Sequence, residues 1–126
     1  MAIKVGIIGA GGMLQYHAAG FKQAGAEIIA VADLAPGAAQ KAAAKWGIKH
    51  SYESVEGMLT AHPELDAISV IVPNKFHAAL TMQCLHAGKH VFCEKPPALS
   101  APEVHEIIAA AQKSGKKVMF NFNNRA

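Results

Sequence analysis

The residues best suited to chemistry in this chain fall in a few short stretches. Gly9-Ala10-Gly11-Gly12 closes an apolar, β-branched run that starts at Ile3 and passes, through Met13 and Leu14, into a helical pattern. A helix N-terminus carries unpaired backbone N–H groups and a partial positive charge, which suit a phosphate. Gly9 allows a tight turn there, and Gly11 lets the backbone approach a pyrophosphate closely. The third glycine of a G-x-G-x-x-G fingerprint would fall at position 14, which is Leu14. Alone, the turn is also compatible with other α/β proteins.

Asp33 lies 24 positions beyond Gly9, close to the spacing of an acid that holds an adenosine ribose. Its carboxylate would accept hydrogen bonds from ribose hydroxyls and repel a 2′-phosphate. Leu34, Ala35 and Pro36 supply no arginine for such a phosphate, so NAD is favoured over NADP. Lys95 stands between Glu94 and Pro96-Pro97, where restricted backbone presents its ammonium consistently. Near a nicotinamide, that lysine could bind a substrate hydroxyl or carbonyl and assist proton transfer. His77 could reach the same rim, although packing or capping is the better explanation of a lone histidine. His86, His90 and Cys93 lie across a helix end and a strand, and Cys84 and Cys93 form no C-x-x-C, so no metal site or disulfide framework is expected.

These residues need a scaffold, and the patterning supplies one. Strands are expected at 3–9, Glu27 to Ala32, Lys49 to Tyr52, Leu65 to Val72, His90 to Cys93 and Lys117 to Phe122. Helices fill the intervals. The first covers 12–24, with Leu14, Ala18 and Phe21 facing the sheet. The second starts at Pro36, buries Ala39, Ala42, Ala43 and Trp46, and ends at Gly47. A short one at Ser54 to Ala61 buries Val55, Met58 and Leu59. The fourth runs from Lys75 to Ala87. The last opens on a capping box at Ser100 to Glu103 and buries Val104, Ile107, Ile108 and Ala111. Single helices between strands make right-handed βαβ units, so the fold expected is a doubly wound, mostly parallel six-stranded α/β sheet with helices on both faces. In such a sheet ligands lie beyond the carboxyl ends of the strands. Gly9–Gly12, Asp33, Pro73-Asn74, Glu94-Lys95-Pro96 and Asn123-Asn124-Arg125 all fall at those ends.

The 126 residues are expected to form one domain, and the 52% hydrophobic content argues for a compact core. A net charge of +3 without a basic block suits a dinucleotide and does not call for nucleic acid. No apolar run reaches membrane-spanning length, and no signal sequence is evident, so a cytoplasmic protein is expected.

Taken together, Gly6-Ile7-Ile8-Gly9-Ala10-Gly11-Gly12, Asp33, Ile71-Val72-Pro73-Asn74 with His77, Ala87-Gly88-Lys89-His90-Val91, Glu94-Lys95-Pro96 and Arg125 resemble the Gfo/Idh/MocA oxidoreductases. The resemblance covers essentially the whole chain, and Glu94-Lys95-Pro96 is its most specific part. It implies an NAD(P)-dependent hydride transfer on a sugar, an inositol or a related polyol. It also implies that Lys95 lies beside nicotinamide and substrate, and that the Lys95–Pro96 bond is a candidate for cis. The cofactor-binding set it suggests is Gly9, Gly11, Gly12, Met13, Asp33, Val72, Pro73, Asn74, His77, Glu94, Lys95, Pro96, Asn123 and Arg125. Members of this family carry a second α/β domain that supplies most of the substrate pocket, the aspartate and histidine partners in catalysis and much of a homo-oligomer interface. The expectation is therefore a Rossmann domain at 1–126 that binds NAD and lacks turnover by itself. Two other readings share the glycine turn: a stand-alone NAD(H)-sensing module, which leaves Lys95 unused, and a methyltransferase binding S-adenosylmethionine.

Overall fold

A computed structural model describes residues 3–10, 14–71, 74–93 and 101–120. Six strands alternate with five helices: β1 Lys4–Ile8, α1 Leu14–Gln23, β2 Glu27–Ala32, α2 Ala38–Trp46, β3 His50–Tyr52, α3 Val55–Ala61, β4 Ala67–Val70, α4 Asn74–His86, β5 His90–Cys93, α5 Ala101–Ser114 and β6 Val118–Phe120. The strand order is β3-β2-β1-β4-β5-β6, and every neighbouring pair is parallel. The expected doubly wound six-stranded sheet is therefore present. Among the described residues no helix is long and apolar enough to cross a membrane.

Burial on both faces of the sheet explains the nearly unbroken apolar strands. Val5, Ile7 and Val31 point to one face, where Ala39, Ala42 and Ala43 of α2 and Phe21 of α1 cover them. Ile8, Ala30, Ala32, Ile68, Val70 and Val91 point to the other, under Val55 and Met58 of α3, Cys84 and Leu85 of α4, and Ile107 and Ala110 of α5. Small alanines let α2 approach the sheet closely. Phe21 also meets Phe92 of β5 edge to face, with ring centroids 6.2 Å apart.

Three details differ from the patterning. The second helix starts at Ala38, not at Pro36, because Gly37 takes φ 78°, a left-handed conformation that interrupts helical geometry. Gly47 ends that helix as expected, at φ 70°. Leu65 and Ile71 flank β4 outside the strand proper. On α5, Ile107 is buried but Ile108 is 48% exposed, and Ala110 takes the place expected of it. The buried stripe steps through 107, 110 and 111, and a residue one position after Ile107 is turned about 100° away from it. The capping box at Ser100 and the Lys95–Pro96 bond lie outside the described residues.

Candidate functional site

The strand order reverses direction between β1 and β4, and the carboxyl ends of those strands are where ligands bind in such a sheet. Gly9 stands there. Its N–H donates to the Ala32 carbonyl at the end of β2 (2.8 Å), and the Ile71 N–H beside it donates to the Ile8 carbonyl (2.8 Å). The φ of Gly9 is 109°, and a Cβ added to it would sit 2.3 Å from the Ile71 carbonyl oxygen. Only glycine can leave β1 this way, because the position needs both a left-handed φ and an empty Cβ site. That leaves bare backbone at the switch point, which is what a closely approaching pyrophosphate requires.

Asp33 follows β2 immediately and faces the same turn. Its Oδ2 accepts from the Ala10 N–H (2.7 Å), and its Oδ1 accepts from the Ala35 N–H (2.8 Å). The second contact is a local turn of the kind aspartate favours. Its own N–H donates to the Tyr52 carbonyl at the end of β3 (3.0 Å). The carboxylate therefore sits among the carboxyl ends of β1, β2 and β3. An ionised carboxylate has about four lone-pair sites, so two amides leave capacity for two ribose hydroxyls. Leu34 beside it is 64% exposed and presents apolar surface. Nearby, the Glu53 carboxylate accepts from the Gly37 N–H at the start of α2 (3.1 Å).

Gly9, Ala10 and Asp33 are thus brought together. The backbone of Asn74 opens α4 beyond β4, and His77 lies in the first turn of that helix. Gly11, Gly12, Met13, Val72, Pro73, Glu94, Lys95, Pro96, Asn123 and Arg125 lie outside the described residues. β5 ends at Cys93 and β6 at Phe120, and Lys95 and Arg125 come later in the sequence, after those strand ends. The amides of Ala10 and Ala35 have no side-chain signature, so the sequence does not single them out as partners of Asp33.

A bare glycine cradle at the switch point and an acid with free acceptor capacity next to it fit the diphosphate and ribose of a dinucleotide. The wider comparisons agree. Residues 3–122 match the family model described as an oxidoreductase family with an NAD-binding Rossmann fold. The chain belongs to this family, the Gfo/Idh/MocA oxidoreductases, and has its NAD-binding Rossmann fold. It is 37% identical over 125 residues to the D-glucoside 3-dehydrogenase of Escherichia coli, covering 98% of this chain and 35% of that protein. The inositol 2-dehydrogenase of Salmonella paratyphi B is 32% identical over 121 residues, which is 94% of this chain and 36% of the enzyme. Among solved structures, the WlbA dehydrogenase of Bordetella pertussis in complex with NADH and UDP-GlcNAcA superposes with a TM-score of 0.85 at 27% identity, over 95% of this chain and 37% of that one. The chain thus spans about a third of the length of the relatives it matches.

Proposed function

We propose that this chain is the cofactor-binding part of a cytoplasmic oxidoreductase that moves a hydride between NAD and a sugar, an inositol or a related polyol. The observation that carries the reading is the Gly9–Ala10–Asp33 arrangement at the switch point of a family member's sheet. The substrate class rests on relatives named as glucoside and inositol dehydrogenases. In this reading the glycine turn, with Gly11, Gly12 and Met13, meets the pyrophosphate through backbone N–H groups. Asp33 accepts from the ribose hydroxyls, and its charge disfavours a 2′-phosphate. Leu34 offers an apolar contact for the adenine. Val72, Pro73, Asn74, His77, Asn123 and Arg125 are assigned to cofactor binding by the family resemblance alone.

The bound nicotinamide supplies the hydride acceptor or donor. Lys95, held between Glu94 and Pro96, binds the reacting hydroxyl of the substrate and moves its proton as the carbonyl forms.

Titration with NADH and NADPH tests the cofactor part. NADH should bind more tightly, and Asp33→Ala should weaken it about tenfold or more, the worth of hydrogen bonds to a charged acceptor. Absence of nicotinamide binding, or tighter binding of NADPH, overturns the reading. In the active protein, Lys95→Ala should lower kcat by two orders of magnitude or more, roughly the contribution of general acid–base catalysis, with NADH affinity largely kept. Unchanged turnover would remove Lys95 from the mechanism.

A further inference from the structure

We propose that Asp33 is a positioning residue for the glycine turn as well as the ribose acceptor, so that one carboxylate couples the diphosphate and ribose ends of the dinucleotide site. The proposal rests on the NAD-binding reading above and gives the Ala10–Asp33 hydrogen bond a role of its own in that site. Gly9 donates its N–H to the Ala32 carbonyl, and the Ile71 carbonyl lies against the side where a Cβ would stand. Ala10 is the next residue out, and its N–H is met by a side chain: Oδ2 of Asp33 at 2.7 Å in a part-buried setting. A short N–H to carboxylate bond of this kind is charge-assisted and about twice as strong as a neutral one.

The other oxygen is engaged too, by the Ala35 N–H at 2.8 Å. Rotation of the carboxylate would break both bonds, so its plane is set before any ligand arrives. The ribose hydroxyls then meet an acceptor that needs no rearrangement, and the chain leaves β1 from a fixed point. The two donors also make the position chemically demanding. An asparagine has one oxygen for two amides, and its NH2 group would face an N–H donor. A glutamate keeps the charge but carries it one methylene further, away from the Ala10 amide. The loss on substitution should therefore extend to ligands that have no ribose hydroxyls.

The probes are ADP and 2′,3′-dideoxy-ADP, titrated calorimetrically against the wild-type chain, Asp33→Asn and Asp33→Glu. A carboxylate serving ribose alone would leave dideoxy-ADP equally bound by all three. The coupling instead predicts that dideoxy-ADP weakens about three- to tenfold in both variants, the worth of one hydrogen bond, while ADP weakens further. Amide hydrogen exchange supplies a readout that loss of overall stability would not single out. Exchange at Ala10 should accelerate in the variants, with the amides of Ile7 in β1 and Ile68 in β4 unchanged. Unaltered dideoxy-ADP affinity and unaltered Ala10 exchange overturn the proposal and leave the NAD reading standing. A wild-type chain that binds neither NADH nor ADP overturns the NAD reading, and the proposal with it.

Discussion

Gly9 and Asp33 carry the site for opposite reasons, one by lacking a side chain and one by the reach of its side chain. At Gly9 the left-handed φ and the Ile71 carbonyl leave no room for a Cβ. Gly9→Ala should therefore destabilise the fold by about 2 kcal/mol or more, combining backbone strain with a steric clash. A chemical denaturation midpoint checks this, and a midpoint equal to wild type would contradict the geometry. Gly25, whose φ is 82° with open space around its Cβ site, is the natural control, since only the strain component applies there. Both site residues were legible from their type and spacing. The hydrogen bonds of Asp33 to Ala10 and Ala35 were not, because backbone amides look the same in every sequence.

At the scale of elements, local signals give type and ends well. Ser54 caps α3, its Oγ accepting from the Gly57 N–H at 2.9 Å, and Gly47 closes α2 in the left-handed region. The start of α2 was misplaced because Gly37, rather than Pro36, decides where helical geometry begins. On α5 the periodicity admitted both Ile107 and Ile108 to the buried face, and packing chose between them. Ile107 sits at 2% exposure in the core and Ile108 at 48%. Ile107→Ala should cost about 2–5 kcal/mol of stability, whereas Ile108→Ala should stay within about 0.5 kcal/mol of wild type. Equal effects in urea denaturation would mean that α5 is rotated from the orientation described.

Across the whole molecule, the two edges of the sheet have different work. The carboxyl edge holds Gly9 and Asp33, and the amino edge holds polar ties between returning loops. There the buried Lys89 ammonium donates to the Pro63 carbonyl (2.8 Å), and His62, capping α3, joins Glu64 to Tyr52, the last residue of β3. The Glu64 carboxylate lies 2.9 Å from His62 Nδ1, and the Tyr52 hydroxyl lies 2.7 Å from Nε2. With a neutral ring, Nδ1–H donates to Glu64, and Nε2 accepts from Tyr52. That hydrogen bond from His62 is the main cause holding the Glu64 carboxyl below the usual carboxylate range. A carboxyl depressed in the folded state stabilises it above the unfolded pKa, and this contribution is lost as pH falls through the folded value. Glu64→Gln should therefore lower Tm at neutral pH, with the gap to wild type closing as the solution is acidified through the carboxylate range. A gap that persists unchanged at acid pH would sink this assignment.

Much of this protein was determined by the order of its residues alone. Alternating β-branched runs and amphipathic intervals specify six parallel strands and their helices, because each period buries one kind of surface. Gly9 and Asp33 announce themselves because few residue types tolerate or perform what those positions demand. Tertiary structure decided what depends on neighbours distant in the chain: that Gly9 abuts Ile71, that Asp33 reaches Ala10, that Ile107 is covered and Ile108 is not, and that His62 joins Tyr52 to Glu64. The physical reason is common to all four. Strand order and helix rotation set which groups meet, and neither is encoded in a local period.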